Sequence, residues 1–272
     1  MTTPHVSVLV AVHNGARHID ACLRSLLNQS LDHFEVIVID DASTDETPRL
    51  VAAYDDPRLT LLRLPRNQGP SAARNQGAAV ARGRYLAILD ADDVALPQRL
   101  ARQVQYMDAN PDLVLSGSFF RLESDYGTTA QVTRPLDDKA IRRGLAQSCT
   151  IANTTAIIRR DAYLAHGGFP EHLRHGEDYR LFTDLLGSGK AGNLPEILVV
   201  KRERADGLTF RLSTPRHIWM GLTHRYYAVR RLRLGASAYV VATVIALGIG
   251  AVRALGLNRE TIKRVLAMGR KP

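Results

Sequence analysis

Four short apolar runs, each ending in a polar or acidic turn and each followed by helical spacing, leave this chain few folds to adopt. The runs are Val6–Val12, Phe34–Ile39, Leu59–Leu64 and Tyr85–Leu89. They are β-branched and strand-length, as buried parallel strands are. Between them Ile19, Cys22, Leu23, Leu26 and Leu27 recur at helical spacing. Thr47–Tyr54 reads as a helix with Thr44 or Asp45 available as its cap, and Ser71–Ala81 as an alanine-rich helix. Pro97 is placed to open a helix at its first turn, running to about Asp108. Strands alternating with helices predict a doubly wound α/β layer with a mostly parallel sheet and flanking helices. Beyond Leu113–Phe119 the rhythm loosens: Thr155–Ile158 reads as a strand, Asp161–His166 as a short helix and Glu177–Leu186 as a longer one.

A chain of 272 residues suffices for one such domain plus an appendage. The break in composition falls near Thr214, dividing the chain into an α/β domain, 1–213, and a basic helical tail, 214–272. The tail holds Leu234–Val252, 19 residues without a charge, flanked by Arg230, Arg231 and Arg233 before and by Arg253, Arg259, Lys263 and Arg264 after. The net charge is +9, with the excess after Arg202, so an acidic partner is expected: nucleic acid, anionic lipid or a phosphate-bearing substrate. Cys22 and Cys149 form neither a CxxC pair nor a ligand cluster, so a reducing compartment fits. The first residues lack the basic segment and long apolar core of a signal peptide, so none is expected.

Ligands of open α/β sheets bind beyond the carboxyl ends of the strands. His13-Asn14-Gly15 follows the first run, Asp40-Asp41-Ala42-Ser43 the second and Asp90-Ala91-Asp92-Asp93 the fourth. Carboxylates crowded on one rim repel one another, and a bound cation relieves that. Oxygen ligands suit magnesium or manganese rather than zinc, and such ions usually complete their shell with substrate phosphates. Each Asp alone reads equally as a helix or turn cap. Neither GxGxxG after the first run nor GxxxxGK[ST] is present, so dehydrogenases and P-loop nucleotidases lose their main signal.

The run SVLVAVHNGARHIDACLRSLLNQSLDHFEVIVIDDASTDET, continued by RNQGPSAARNQGAAVARGRYLAILDADD and TTAIIRRDAYLAHGGFPEHLRHGEDYRL, resembles the family-2 glycosyltransferases of GT-A fold. The likeness covers Val6 to Gly189, about two-thirds of the chain. It implies an inverting, metal-dependent enzyme that moves one sugar from a UDP-, GDP- or TDP-linked donor to a carbohydrate or lipid-linked glycan acceptor. The setting it implies is bacterial cell-surface polysaccharide or glycolipid synthesis, at the cytoplasmic face of the cell membrane. The implied donor site comprises Val12, His13 stacking on the base, Asn14, Asp41 hydrogen-bonded to the base, and Arg74 on base or diphosphate. Asp90 touches the ribose, Ala91 lies beside it, and Asp92 holds the Mn²⁺ or Mg²⁺ ion. Asp178 is the implied general base, and Glu177, Gly168 and Phe169 support the loop or the acceptor.

The chain departs from the family where a Tyr-Arg-x-His pattern is common: here stand Lys201, Arg202, Glu203 and Arg204. Arg204 cannot replace a histidine ligand, so Arg202 and Arg204 are grouped with the acceptor or diphosphate contacts. There is no QxxRW, the mark of processive synthases, which favours single-sugar addition. Rival readings are a catalytically silent nucleotide-sugar-binding module, a nucleotidyltransferase on a similar sheet and a basic nucleic-acid-binding protein. The last lacks a reader motif and has only 6% aromatic residues, so no nucleic-acid partner is expected. The tail is expected to attach the enzyme to a membrane. Spanning, lying in the interface, returning as a hairpin and packing as a buried helix all remain open, because basic residues flank both ends.

Overall fold

The computed structural model describes residues 3–124, 129–203 and 214–254, with backbone alone at 203, 214–217 and 249–254. The strands are β1 (Val6–Val12), β2 (Phe34–Asp40), β3 (Leu59–Arg63), β4 (Tyr85–Ile88), β5 (Val94–Ala95), β6 (Leu113–Ser124), β7 (Thr129–Val132), β8 (Ile157–Arg159) and β9 (Lys190–Glu203). The helices are α1 (Ile19–Leu27), α2 (Thr47–Ala52), α3 (Pro70–Val80), α4 (Arg99–Ala109), α5 (Asp138–Gly144), α6 (Arg160–Ala165), α7 (Glu177–Leu185), α8 (Thr214–Arg231) and α9 (Ala236–Ala254). One nine-stranded sheet has the order β3-β2-β1-β4-β8-β6-β9-β5, with β7 paired to β6. The half built from β3, β2, β1 and β4 is parallel. The other half is mixed: β8 runs antiparallel to β4 and β6, while β9 runs parallel to β6.

Side chains alternate between the faces of a strand. Val6, Val8, Val10 and Val12 therefore share one core with Ile19, Cys22 and Leu23 of α1 and with Leu100 and Met107 of α4. Leu9, Ile37 and Ile39 share the other with Ala73 and Ala78 of α3 and with Leu181, Phe182 and Leu185 of α7. Each fully buried Val, Leu or Ile contributes about 1.5–3 kcal/mol. The small residues of α3 set its distance from the sheet: a Cβ on Gly77 would stand 2.6 Å from Ile39 Cδ1.

Register aligns the functional rim. Val12 lies opposite Asp40 and Leu9 opposite Ile88, so the turns after β1, β2 and β4 emerge at one level. Val94 of β5 lies opposite Val200 of β9, which brings Lys201 and Arg202 to the end of the Asp90–Asp93 turn.

Several boundaries differ from expectation. Pro97 precedes its helix instead of opening it, since α4 starts at Arg99 with Gln98 as cap. The expected strand from Thr155 is a 3₁₀ turn, Asn153–Thr155, followed by β8. All but the first two residues of the uncharged stretch Leu234–Val252 lie in one helix, α9. The chain turns through Arg233 (φ 53°) and Gly235 (φ 88°), and α9 begins at Ala236. Among the described residues no helix is long and apolar enough to cross a membrane. α8 is joined to the α/β layer: Ala228 is buried in the core that holds Leu181 and Leu185, and the Tyr227 hydroxyl donates to Asp184. α9 folds back on α8, with the Tyr226 and Tyr239 rings edge to face at 5.3 Å.

Candidate active site

The turn after β1 is laced to the turn after β2. Asn14 adopts φ 53°, donates its N–H to Ser43 Oγ and accepts Thr44 N–H at Oδ1 (2.9 and 2.8 Å). The His13 ring Nδ1 lies 2.8 Å from the Asp41 carbonyl, which orients the imidazole on the rim. Val12, 5% exposed, ends the strand beneath it. The Asp41 carboxylate is buried, and its two oxygens accept the backbone N–H groups of Gln68 and Gly69 at 2.7 and 2.8 Å. Gly69 caps α3 at φ 89°, so Asp41 fixes where that helix starts and, one turn on, where Arg74 points.

Arg74 is the node of the site. Its side chain is 8% exposed, with Nη2 2.8 Å from Asp90 Oδ1 and Nη1 3.7 Å from Glu177 Oε1. The guanidinium lies 5.2 Å from the centre of the Phe169 ring. Nε and Nη1 make no hydrogen bond. Asp90 also accepts Asn153 Nδ2–H at 3.1 Å. Burial works to raise its pKa, yet Lys201, Arg74 and Asn153 together hold it below the usual carboxylate value.

The rest of the acidic turn is graded in depth. Ala91 and Asp92 are partly buried, whereas Asp93 is fully enclosed. Asp93 Oδ1 accepts the Arg202 N–H at 2.8 Å, and Oδ2 has no hydrogen-bond donor. Burial, joined by the charges of Asp90 and Asp92, pushes its carboxyl up to about 7 even against the pull of Lys201. Arg99 is buried below, donating to the Ile88 carbonyl at 2.7 Å, and desolvation draws its pKa down to about 10.

Across the cleft, the turn Gly167-Gly168-Phe169 is held by Asn75. Its Oδ1 accepts Phe169 N–H and the Tyr163 hydroxyl, and its Nδ2 donates to the Phe169 carbonyl. Gly168 sits at φ 73°, where a Cβ would come within 2.4 Å of that same Oδ1. Phe169 is 1% exposed and belongs to the core as well as to the Arg74 stack. Gly176, at φ 72°, turns the chain into α7 and puts Glu177 and Asp178 in its first turn. Burial, then Asp178 and Asp90, raise Glu177 to about 7 against Arg74. Burial likewise raises Asp178, opposed by the Tyr179 N–H and by Arg74. From α8, His224 packs on Gly176, with Nε2 3.2 Å from the His175 carbonyl, so the tail braces the helix that carries the acids.

The expected residues Arg74, Asp90 and Glu177 thus share one ionic cluster, with the Phe169 ring against the guanidinium and Asp92 and Asp178 acting on it through their charges. Asp41 and Gly168 act on that cluster through Gly69 and Asn75. Arg202 contributes its backbone, not its guanidinium, to Asp93. Arg204 lies outside the described residues. Asn75, Asn153, Lys201 and His224 join the site only in the structure. Asn75 had a legible signal, a polar residue inside an alanine-rich helix; the others depend on contacts far apart in sequence.

Among the described residues, no three His, Cys, Asp or Glu side chains converge as a metal-ligand cluster. The donor set still fits a hard divalent ion of the kind held by one or two carboxylates and substrate phosphate. Carboxyl groups outnumber cations here: Asp90, Asp92, Asp93, Glu177 and Asp178 stand against Arg74, Lys201 and Arg99. A bound diphosphate would deepen that imbalance.

A parallel half-sheet with acids at its carboxyl rim, continued by a mixed half that returns a basic strand, is the GT-A glycosyltransferase architecture. The sequence profile of Glycosyl transferase family 2 matches residues 7–167, and the chain belongs to that family of transferases. It is 38% identical over 201 residues to the succinoglycan biosynthesis protein ExoO of Rhizobium meliloti, covering 68% of this chain and 57% of that protein. It is 31% identical to the Escherichia coli enzyme WfaP, UDP-Glc:alpha-D-GlcNAc-diphosphoundecaprenol beta-1,3-glucosyltransferase, over 69% of this chain and 73% of WfaP. Among solved structures it resembles the mannosyltransferase PcManGT of Pyrobaculum calidifontis in complex with GDP-Man and Mn²⁺. There the TM-score is 0.65 at 23% identity, covering 98% of this chain and 80% of that one. The chain therefore spans little more than half the length of the first of these relatives.

Proposed function

We propose that this chain is an inverting enzyme that moves a single sugar from a nucleotide-diphosphate sugar to an acceptor hydroxyl. A guanidinium buried between Asp90 and Glu177, with Nε and Nη1 free of hydrogen bonds, carries the reading. Such a group suits an oxyanion at the carboxyl rim of a parallel sheet. His13, Asn14 and Asp41 would hold the base, Asp90 the ribose, and Arg74 the diphosphate. Asp92 would hold Mg²⁺ or Mn²⁺ together with the diphosphate. When bound, that ion supplies Lewis-acid stabilisation of the charge on the departing diphosphate.

Asp178 would take the proton of the acceptor hydroxyl as its oxygen attacks the anomeric carbon. The bond from that carbon to the diphosphate breaks on the opposite face, and the nucleoside diphosphate departs with the bonding pair. Burial raises the proton affinity of Asp178, which makes it a stronger base than an exposed aspartate. A positioned base contributes about 10²–10⁴-fold. Glu177, raised to about 7, would orient the acceptor through a carboxyl that both donates and accepts. The absence of QxxRW favours one transfer per encounter.

The acceptor would be a growing glycan, free or lipid-linked, in bacterial polysaccharide synthesis, as the names of the relatives suggest. The tail would lie on the inner face of the membrane instead of crossing it. Val240, Val244 and Leu247 are 64%, 63% and 55% exposed on α9, and Arg230, Arg231 and Arg233 stand nearby at the end of α8. The test is release of nucleoside diphosphate from a panel of UDP-, GDP- and TDP-sugars, with the anomeric configuration of the product read by NMR. Inverted product from one donor is expected. A retained configuration overturns the single-displacement reading, and no release from any donor, with no nucleotide raising Tm, overturns the donor site.

A further inference from the structure

β9 carries a lysine into the acidic rim. Because Val94 pairs with Val200, Lys201 arrives beside the Asp90–Asp93 turn. Its Nζ lies 3.6 Å from Asp90 Oδ2 and 3.8 Å from Asp93 Oδ2, and its side chain is 36% exposed. At those distances the pairs are ionic without being hydrogen bonds, so neither carboxylate ties up an ammonium N–H. The charges of Asp92 and Asp178 also act on it, so it lies where the donor acids and the base meet. Asp93 Oδ2, enclosed and without a hydrogen-bond donor, faces the same ammonium. A side chain needed only to neutralise Asp93 would close onto that oxygen. This one stands back from two acids at once and keeps solvent access.

We propose that Lys201 is a protein-supplied cation of the donor site, contacting the diphosphate so that nucleotide binding persists without a divalent ion. The proposal rests on the donor-site reading above.

The test is calorimetry of UDP and GDP binding to the full chain, in EDTA and in saturating Mn²⁺, for wild type, Lys201→Met and Lys201→Met/Asp93→Asn. The double variant restores the charge balance around Asp93 while leaving an amide oxygen for the Arg202 N–H, so it keeps the fold if Lys201→Met alone does not. Wild type is expected to bind one nucleotide in EDTA. The double variant, melting within a few degrees of wild type, is expected to bind it about tenfold or more weakly there, the scale of one charge-assisted hydrogen bond. Mn²⁺ should narrow that gap. Equal binding by wild type and the double variant in EDTA overturns the proposal, as does wild-type binding that vanishes in EDTA but returns with Mn²⁺; both leave the donor site standing. No binding of either nucleotide in any condition overturns the donor-site reading and this proposal together.

Discussion

Replacing Arg74 with methionine should separate its structural load from its chemistry. The side chain is 8% exposed, and the substitution strips Asp90 of a 2.8 Å partner and Glu177 of a 3.7 Å one while leaving an apolar body near the Phe169 ring. Removing one partner of a buried ion pair costs about 3–5 kcal/mol. Protonation decides how much of that is felt. Glu177 has a folded-state pKa near 7, above its ordinary 4.5, so the stability linked to its protonation is complete below 4.5 and lost as pH rises through 7. Removing Arg74 raises that pKa further and extends the loss to higher pH. At pH 6 Glu177 stays neutral in both proteins and the deficit falls on Asp90, which keeps Asn153 and Lys201. At pH 8 both acids are involved. With roughly 2–4 °C of Tm per kcal/mol for a chain of this size, Arg74→Met should melt about 6–20 °C low at pH 8 and clearly less so at pH 6. Glu177→Gln in that background should recover part of the pH 8 loss and little at pH 6. The assay is scanning calorimetry of wild type and the two variants at both pH values. A shift below about 2 °C, or one equal at the two pH values, refutes the assignment of Arg74 as the tie between these acids.

Asp178→Asn should cut turnover by about 10²-fold or more while leaving nucleotide affinity within a few-fold, because the amide keeps the shape but takes no proton; a variant with over a tenth of wild-type turnover removes Asp178 as the base. Gly168→Ala forces a Cβ toward Asn75 at positive φ, so urea unfolding should show a loss of about 2–4 kcal/mol, summed from left-handed strain and disturbed hydrogen bonds. Asp41→Ala leaves the Gln68 and Gly69 amides unpaired, and both Tm and nucleotide affinity should fall; unchanged calorimetric affinity would mark it as a turn residue only. Full-length chain should float with anionic liposomes in low salt and release in high salt, whereas a version ending at residue 213 should stay behind; equal behaviour of the two removes the tail from membrane docking.

Local rules reach a definite distance in this chain. A valine run with every other side chain on one face can only be a strand in a covered sheet, and four such runs separated by helical spacing can only wind as crossovers. That is why Val6–Val12, Phe34–Asp40 and Tyr85–Ile88 were legible to within a residue or so, and with them the rim at Asp41, Asp90 and Asp92. The family motif extended the reading to Arg74, Glu177 and Asp178. The mixed half of the sheet was legible only in part: the strand read at Thr155–Ile158 overlaps β8, whereas β5 has two residues, too short for any period to show. Their pairing is set by burial against β4, β6 and β9, partners many residues away. The same holds for Asn153 on Asp90, His224 on Gly176 and Lys201 between two aspartates: nothing in the residues beside them signals these contacts. The tail shows the contrast in one element. Nineteen uncharged residues in a row admit a span, an interfacial helix or a packed one. The turn at Arg233 and Gly235, and the anchoring of α8 on Asp184, decide that this stretch starts late and folds back, because a helix end is set by what its neighbours pack against.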